Sequence, residues 1–248
     1  MDSQGQPQPA ISPTAIDLLW GGALTAALAA GLAPLVSADW RFFTLAAVLF
    51  GGIALAVITR WPVNRDFGWA NRATLLRGSL VVVLVAAAPF ADQLGGWLWG
   101  YLTLALVALI LDGVDGKLAR LTNSHSDFGA RFDMELDALF ILGLCVATLA
   151  AGKAGAWVVA LGLMRYLFMA TAWGLPWLGR PLPDSFRRKT ICVWQIVTLM
   201  VALLPPIPDS FASGALATAL VLLAWSFSLD IRWLYQRRHT HEPSHLHP

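Results

Sequence analysis

An all-α bundle of about eight membrane-spanning helices is the fold this sequence predicts, and three observations predict it. Hydrophobic residues make up 57 % of the chain and charged residues only 13 %, where a soluble domain carries about 25 % charge. The apolar residues gather into eight stretches, each near the ~20 residues that cross a bilayer as a helix. The 17 Lys and Arg residues favour every second connection, the pattern of a polytopic protein whose positive loops stay on one side.

The elements follow in order. The opening MDSQGQPQPAISP is polar, rich in Pro and Gln, and free of Lys and Arg. It has the features of neither a signal nor a transit peptide, and residues 1–14 are expected to be disordered. Helices over Ala15–Val36 and Phe42–Thr59 form an N-terminal hairpin (15–60). The run RWPVNRDFGWANR mixes arginine with Trp61, Phe67 and Trp69, a composition suited to the membrane interface; a plain loop is the other reading. A third helix is expected over Ala73–Ala91. The fourth, Trp97–Ala119, and the fifth, Ala130–Ala151, are joined by a short loop. The sixth, Ala154–Leu175, contains Arg165, and the seventh, Thr190–Leu204, is the shortest. The eighth, Phe211–Leu234, leads to a His-rich tail (237–248), read as a solvated end in preference to a metal site. Asp17, Asp39 and Asp230 fall near helix ends and read as interfacial. Cys145 and Cys192 lie in apolar segments and read as small buried residues.

Charge sets the orientation. With the N-terminus in the cytosol, fourteen basic residues fall on inner segments, only Arg41 and Lys153 on outer ones, and Arg165 within a membrane segment. Both termini and the loop between the fourth and fifth helices then face the cytosol.

That loop is flanked by Asp112, Asp115, Asp133 and Asp137, in LDGVDGKLARLTNSHSDFGARFDMELDAL. A carboxylate inside a bilayer is costly unless compensated. Asp112 and Asp115 are three apart and Asp133 and Asp137 four apart, so each pair shares one face of its helix. Measured from Arg120, Asp112 lies about 12 Å deeper and Asp115 about 8 Å; measured from Ala130, Asp133 lies about 5 Å in and Asp137 about 10 Å. The four acids therefore converge on one shallow layer, as a site for hard divalent cations requires. A charged loop between two helices, the bland alternative, does not account for acids placed inside apolar helices.

These residues resemble a known signature. Asp112-x-x-Asp115-Gly116-x-x-Ala119-Arg120, eight further residues, then Gly129-x-x-x-Asp133-x-x-x-Asp137 looks like that of the CDP-alcohol phosphotransferases, integral membrane enzymes of phospholipid synthesis. All eight signature positions are filled, over 26 residues of 248. The resemblance implies a six-helix core, here 61–236, to which the hairpin is an addition; holding no motif acid and only Arg41 and Arg60 as basic residues, the hairpin is expected to serve stability or assembly. It implies transfer of a phosphatidyl group from CDP-diacylglycerol to a small alcohol with release of CMP, at two ions of Mg2+ or Mn2+.

By the same resemblance Asp112, Asp115, Asp133 and Asp137 are metal ligands, and Asp137 is also the general base on the acceptor hydroxyl. Gly116 and Ala119 leave room for the CDP donor, although small residues also serve close helix packing. Arg120 meets a phosphate or braces a carboxylate, and Gly129 lets the chain turn into the next helix. Asn71-x-x-Thr74-x-x-Arg77 resembles a weaker family pattern that contacts the donor. Arg165, with Arg187, Arg188 and Lys189, is the candidate anion pocket for the acceptor; snorkelling for Arg165 and a topology signal for the triplet are the alternatives.

Two other functions compete. In one, a CDP-choline or CDP-ethanolamine donates and diacylglycerol accepts. In the other the acids line a cation transporter, which would place them near the midplane beside broken helices. Membrane lipids are the expected surroundings, a homodimer the assembly that the resemblance implies, and a bacterial inner membrane the expected location. No nucleic-acid partner is expected.

Overall fold

The computed structural model describes residues 12–37, 39–61, 66–121, 126–183 and 185–237, with backbone alone over 114–121 and at 127. Those residues form eight α-helices: α1 Pro13–Leu32, α2 Trp40–Arg60, α3 Trp69–Ala87, α4 Leu98–Leu121, α5 Asp127–Ala150, α6 Val159–Gly174, α7 Phe186–Ala202 and α8 Asp209–Gln236. Short 3-10 turns flank several of them, and no strand occurs among the described residues. Residues 1–11 and 238–248, on which most of the expected disordered start and the His-rich tail fall, lie outside the described residues.

Six segments are long and apolar enough to cross a membrane: Pro13–Val36, Trp40–Arg60, Trp69–Phe90, Gly95–Gly113, Ala156–Gly174 and Asp209–Gln236. Two expected spans fall short of that criterion. The first half of α5 carries Asp133, Glu135 and Asp137, and α7 has 17 residues. Large apolar side chains face outward along these helices, among them Leu55 62 %, Leu167 62 % and Val221 67 % exposed. Such a surface is unfavourable in water and matches lipid.

Local chemistry explains the helix starts. Ser12 caps α1, its Oγ accepting from Ala15 N at 3.2 Å, with Pro13 in the first turn, where a missing N–H costs nothing. Asp39 caps α2, accepting from Arg41 N at 2.8 Å. The third helix begins at Trp69, one turn before its expected start at Ala73. Gly68 precedes it with φ +81°, a conformation glycine adopts freely, and donates its N–H to Asp66 Oδ2 at 3.1 Å. Asn71 and Arg72 are thus helical. The seventh begins at Phe186, so Arg187, Arg188 and Lys189 occupy its first turn instead of the preceding loop.

The chain divides into two compact units, residues 1–140 and 141–248, the boundary lying within α5. In the first, α3 packs against α1, α2 and α4 and is buried along most of its length. Leu18, Val57, Phe67 and Leu75 form a core cluster, with Phe50, Ile53, Ala54, Trp61 and Phe128 packed on it. The aromatic residues of the segment before α3 do not share one setting. Phe67 is fully buried and Trp61 half-buried, because they meet edge to face with ring centroids 5.6 Å apart inside that cluster; only Trp69 faces outward. Residues 62–65 lie outside the described residues.

In the second unit α7 packs along α8, and the turn Pro176–Gly179 lies between α6 and α8. Lys153 ties the other end together, donating to Ile207 O at 2.7 Å and pairing with Asp209 at 3.2 Å.

Candidate metal centre

The site is built from three helices of the first unit. The C-terminal half of α4 presents Asp112, the first turns of α5 present Asp133 and Asp137, and α3 presents Arg77. Each aspartate offers one oxygen, and the three oxygens lie within 4.8 Å of one another. Oxygens on opposite sides of a magnesium ion lie about 4.2 Å apart and of a calcium ion about 5 Å, twice the usual ligand distances. At most one pair of three ligands lies opposite across an ion, and the others must close to about 3 Å, so the donor set suits a small hard cation in being all oxygen and closely gathered. Asp115 follows on α4, one turn beyond Asp112; its side chain, like those of Gly116, Ala119 and Arg120, lies outside the described residues.

Arg77 is the residue that sequence reasoning placed least well. It lies just over two turns inside α3, within a membrane-spanning segment, and is 2 % exposed. Its Nη1 donates to Asp112 Oδ1 and, at 3.0 Å, to Asp137 Oδ1, while Nη2 donates to Asp133 Oδ1. One guanidinium thus bridges acids from two other helices with the planar fork that suits carboxylates. Arg165 is therefore not the only basic residue within a membrane segment. The signal was available: an arginine two turns into an apolar helix needs a counter-charge, and the chain has few acids to supply one.

Asn71 and Thr74 share the α3 end of the site, and both are buried. Asn71 Nδ2 donates to Phe67 O at 2.7 Å, and Thr74 Oγ1 to Ala70 O at 3.0 Å. Gly129 corrects another expectation. It is not a turn residue, since it lies inside α5 and is absent from the glycines with positive φ. Its role is space. A Cβ there would stand 2.8 Å from Asn71 Oδ1 and 3.0 Å from Ser126 Oγ, and Asn71 is held by its bond to Phe67. Gly129→Ala is therefore expected to cost about 1–3 kcal/mol as overpacking, read as a lower melting temperature in detergent. A melting temperature equal to wild type would show that Asn71 gives way freely.

The acceptor candidates lie in the second unit. Arg187 Nη2 meets Asp230 Oδ1 at 2.6 Å, Arg187 Nη1 donates to Ser226 O at 2.7 Å, and Arg188 Nη1 reaches Asp230 at 3.4 Å. Asp230 is buried near the end of α8 and pairs that helix with α7. Arg165 is half-buried on α6, and Lys189 lies in the first turn of α7.

Comparison with known proteins agrees with the signature. The sequence profile described as CDP-alcohol phosphatidyltransferase matches residues 67–229, well over half of the chain. The chain is 37 % identical over 110 residues to cholinephosphotransferase 1 of Xenopus laevis, covering 41 % of this chain and 27 % of that protein. It is 31 % identical over 153 residues to ethanolaminephosphotransferase 1 of Homo sapiens, 55 % of this chain and 38 % of that protein. It is also 31 % identical over 142 residues to the CDP-diacylglycerol–glycerol-3-phosphate 3-phosphatidyltransferase of Cereibacter sphaeroides, 54 % of this chain and 60 % of that protein. The chain thus spans well under half the length of the two vertebrate relatives. No solved structure matches it. With the signature aspartates gathered from α4 and α5 and a profile match from the segment before α3 into α8, the chain belongs to the CDP-alcohol phosphatidyltransferase family.

Proposed function

We propose that this chain is a membrane-embedded transferase that moves a substituted phosphate from a CDP-linked donor to an alcohol and releases CMP. The observation that carries the reading is the convergence of Asp112, Asp133 and Asp137 within a chain of the matching family. Two ions of Mg2+ or Mn2+, held by these three and Asp115, would supply Lewis-acid stabilisation of the pyrophosphate oxygens.

The residues of the chain do the rest. Asp137 accepts the proton of the acceptor hydroxyl, whose oxygen bonds to the donor phosphorus as the bond from that phosphorus to CMP breaks. Asn71 and Thr74 belong to the donor side, with Gly116, Ala119 and Arg120. Arg77 holds Asp112, Asp133 and Asp137 in one orientation, so a proton acceptor and metal ligands keep fixed places before substrate arrives, the arrangement that lowers reorganisation during reaction. The site and both termini face the cytosol in this reading, where a nucleotide-activated donor is made.

The donor in this reading is CDP-diacylglycerol and the acceptor a small alcohol. The likeness to cholinephosphotransferase 1 and ethanolaminephosphotransferase 1 favours a second division of labour, with a CDP-alcohol as donor and diacylglycerol as acceptor. Purified protein should be given each donor type with its acceptors, and CMP release read with Mn2+ or Mg2+ and in excess EDTA. Metal-dependent release with one donor class is the expected result and selects between the two. Full activity in excess EDTA would refute the metal role, and no release with either donor class would refute the reaction.

A further inference from the structure

We infer that Asp17, on the first helix of the N-terminal hairpin, is a positioning residue for the donor end of α3 and acts through Arg72. The inference rests on the proposed place of α3 in the donor site. Arg72 Nε donates to both oxygens of Asp17, at 2.9 and 3.1 Å, and Arg72 Nη2 donates to Asp66 Oδ1 at 2.7 Å. Its guanidinium also lies over the Trp69 ring, 5.4 Å from the centroid. One side chain thus joins α1, the segment before α3 and the first turn of α3.

The residues around this junction lead to the site. Asn71, the neighbour of Arg72, bonds Phe67 O and stands where Gly129 leaves space for it. Arg77 is five residues further on, about 7.5 Å along the helix axis, among the aspartates. A second tie lies past Arg77, where Ser79 Oγ donates to Gly21 O at 3.1 Å. The Arg77 turn of α3 is therefore bracketed by two polar contacts to α1. Phe67 continues the connection through Trp61 to Phe128, whose rings are 5.4 Å apart, and Phe128 stacks on Phe132 beside Asp133. The hairpin that sequence reading assigned to stability or assembly is part of the frame that sets where α3 meets α5.

The pair acts on position more than on fold. Its side chains are partly exposed, 30 % for Arg72 and 17 % for Asp17, and partly exposed ion pairs contribute little stability. The packing of Leu18 and Leu75 in one cluster holds α1 on α3 without it. Small displacements of groups that bind substrate, by contrast, cost large factors in rate.

The test compares wild type, Asp17→Asn and Asp17→Glu in lipid nanodiscs by hydrogen–deuterium exchange over residues 66–80, by donor KM and kcat for CMP release, and by melting temperature. Asp17→Asn should exchange faster over the first turns of α3 and raise donor KM roughly tenfold or more, with kcat at saturation and melting temperature near wild type. Asp17→Glu should recover both exchange and KM. Unchanged exchange in Asp17→Asn overturns the tether. Faster exchange with unchanged KM, or a KM that changes only as the protein loses stability, reduces the pair to a structural contact and overturns the inference. Absence of CMP release by wild type overturns the activity reading and the donor half of this inference with it, while the exchange data still judge the tether.

Discussion

Asp137→Asn is expected to reduce CMP release by about 10²–10⁴-fold, the usual cost of removing a general base. Asparagine keeps the size of the side chain and can still accept from Arg77, whose Nη1 lies 3.0 Å from Asp137 Oδ1. What it loses is the charge and the capacity to take a proton. The donor site should stay largely formed, because Asp112 and Asp133 keep their contacts to the same guanidinium. Asp112→Asn is the companion experiment. It removes a ligand and not the base, so it should weaken Mn2+ affinity in a titration read by paramagnetic resonance, and activity should partly return at high Mn2+. The pair separates base from ligand. Near-normal turnover of Asp137→Asn at saturating acceptor would end the base assignment.

Arg77→Ala is the second large effect, and it concerns stability first. Removing one partner of a buried ion pair strands the other charges and costs about 3–5 kcal/mol. Here Arg77 is buried, but the side chains of Asp112, Asp133 and Asp137 retain 31, 40 and 25 % exposure, so the stranded charges are only partly buried and the lower end, about 3 kcal/mol, is expected. For a chain of this size that corresponds to a fall of roughly 6–12 °C in melting temperature. The measurement is a thermal scan in detergent, with excess EDTA and with Mn2+. Added Mn2+ should restore more stability to Arg77→Ala than to wild type, because it returns positive charge to carboxylates that have lost their own. Arg77→Lys should fall between the two, keeping the charge but losing the planar fork. Equal losses with and without Mn2+ would show that Arg77 serves packing and not the acidic cluster.

Much of this was legible along the chain. Apolar length and low charge identify a membrane bundle because both are properties of each segment by itself. The aspartate pairs were legible because spacings of three and four residues place side chains on one helical face whatever the helix touches. Their family signature adds Gly129, but its reason was misread. A glycine near a predicted helix start suggests a turn, whereas the need at Gly129 comes from Asn71, 58 positions away in sequence. Helix starts at Trp69 and Phe186 were missed because Arg and Asn near a membrane end look like loop residues until their partners are known.

Sequence alone thus determined the apolar surroundings this chain is made for, the number of its helices and the helical faces that carry its acids. Only the tertiary structure decided which charges neutralise which: Arg77 with Asp112, Asp133 and Asp137, Arg72 with Asp17, and Arg187 with Asp230. Helix formation and membrane insertion depend on local hydrogen bonding and polarity, which neighbouring residues report. Pairing between helices depends on the rotation and axial offset of each against the next. Those are set by the packing of the whole surface, such as Leu18 and Leu75 in one cluster and the missing Cβ of Gly129, and no single segment contains them.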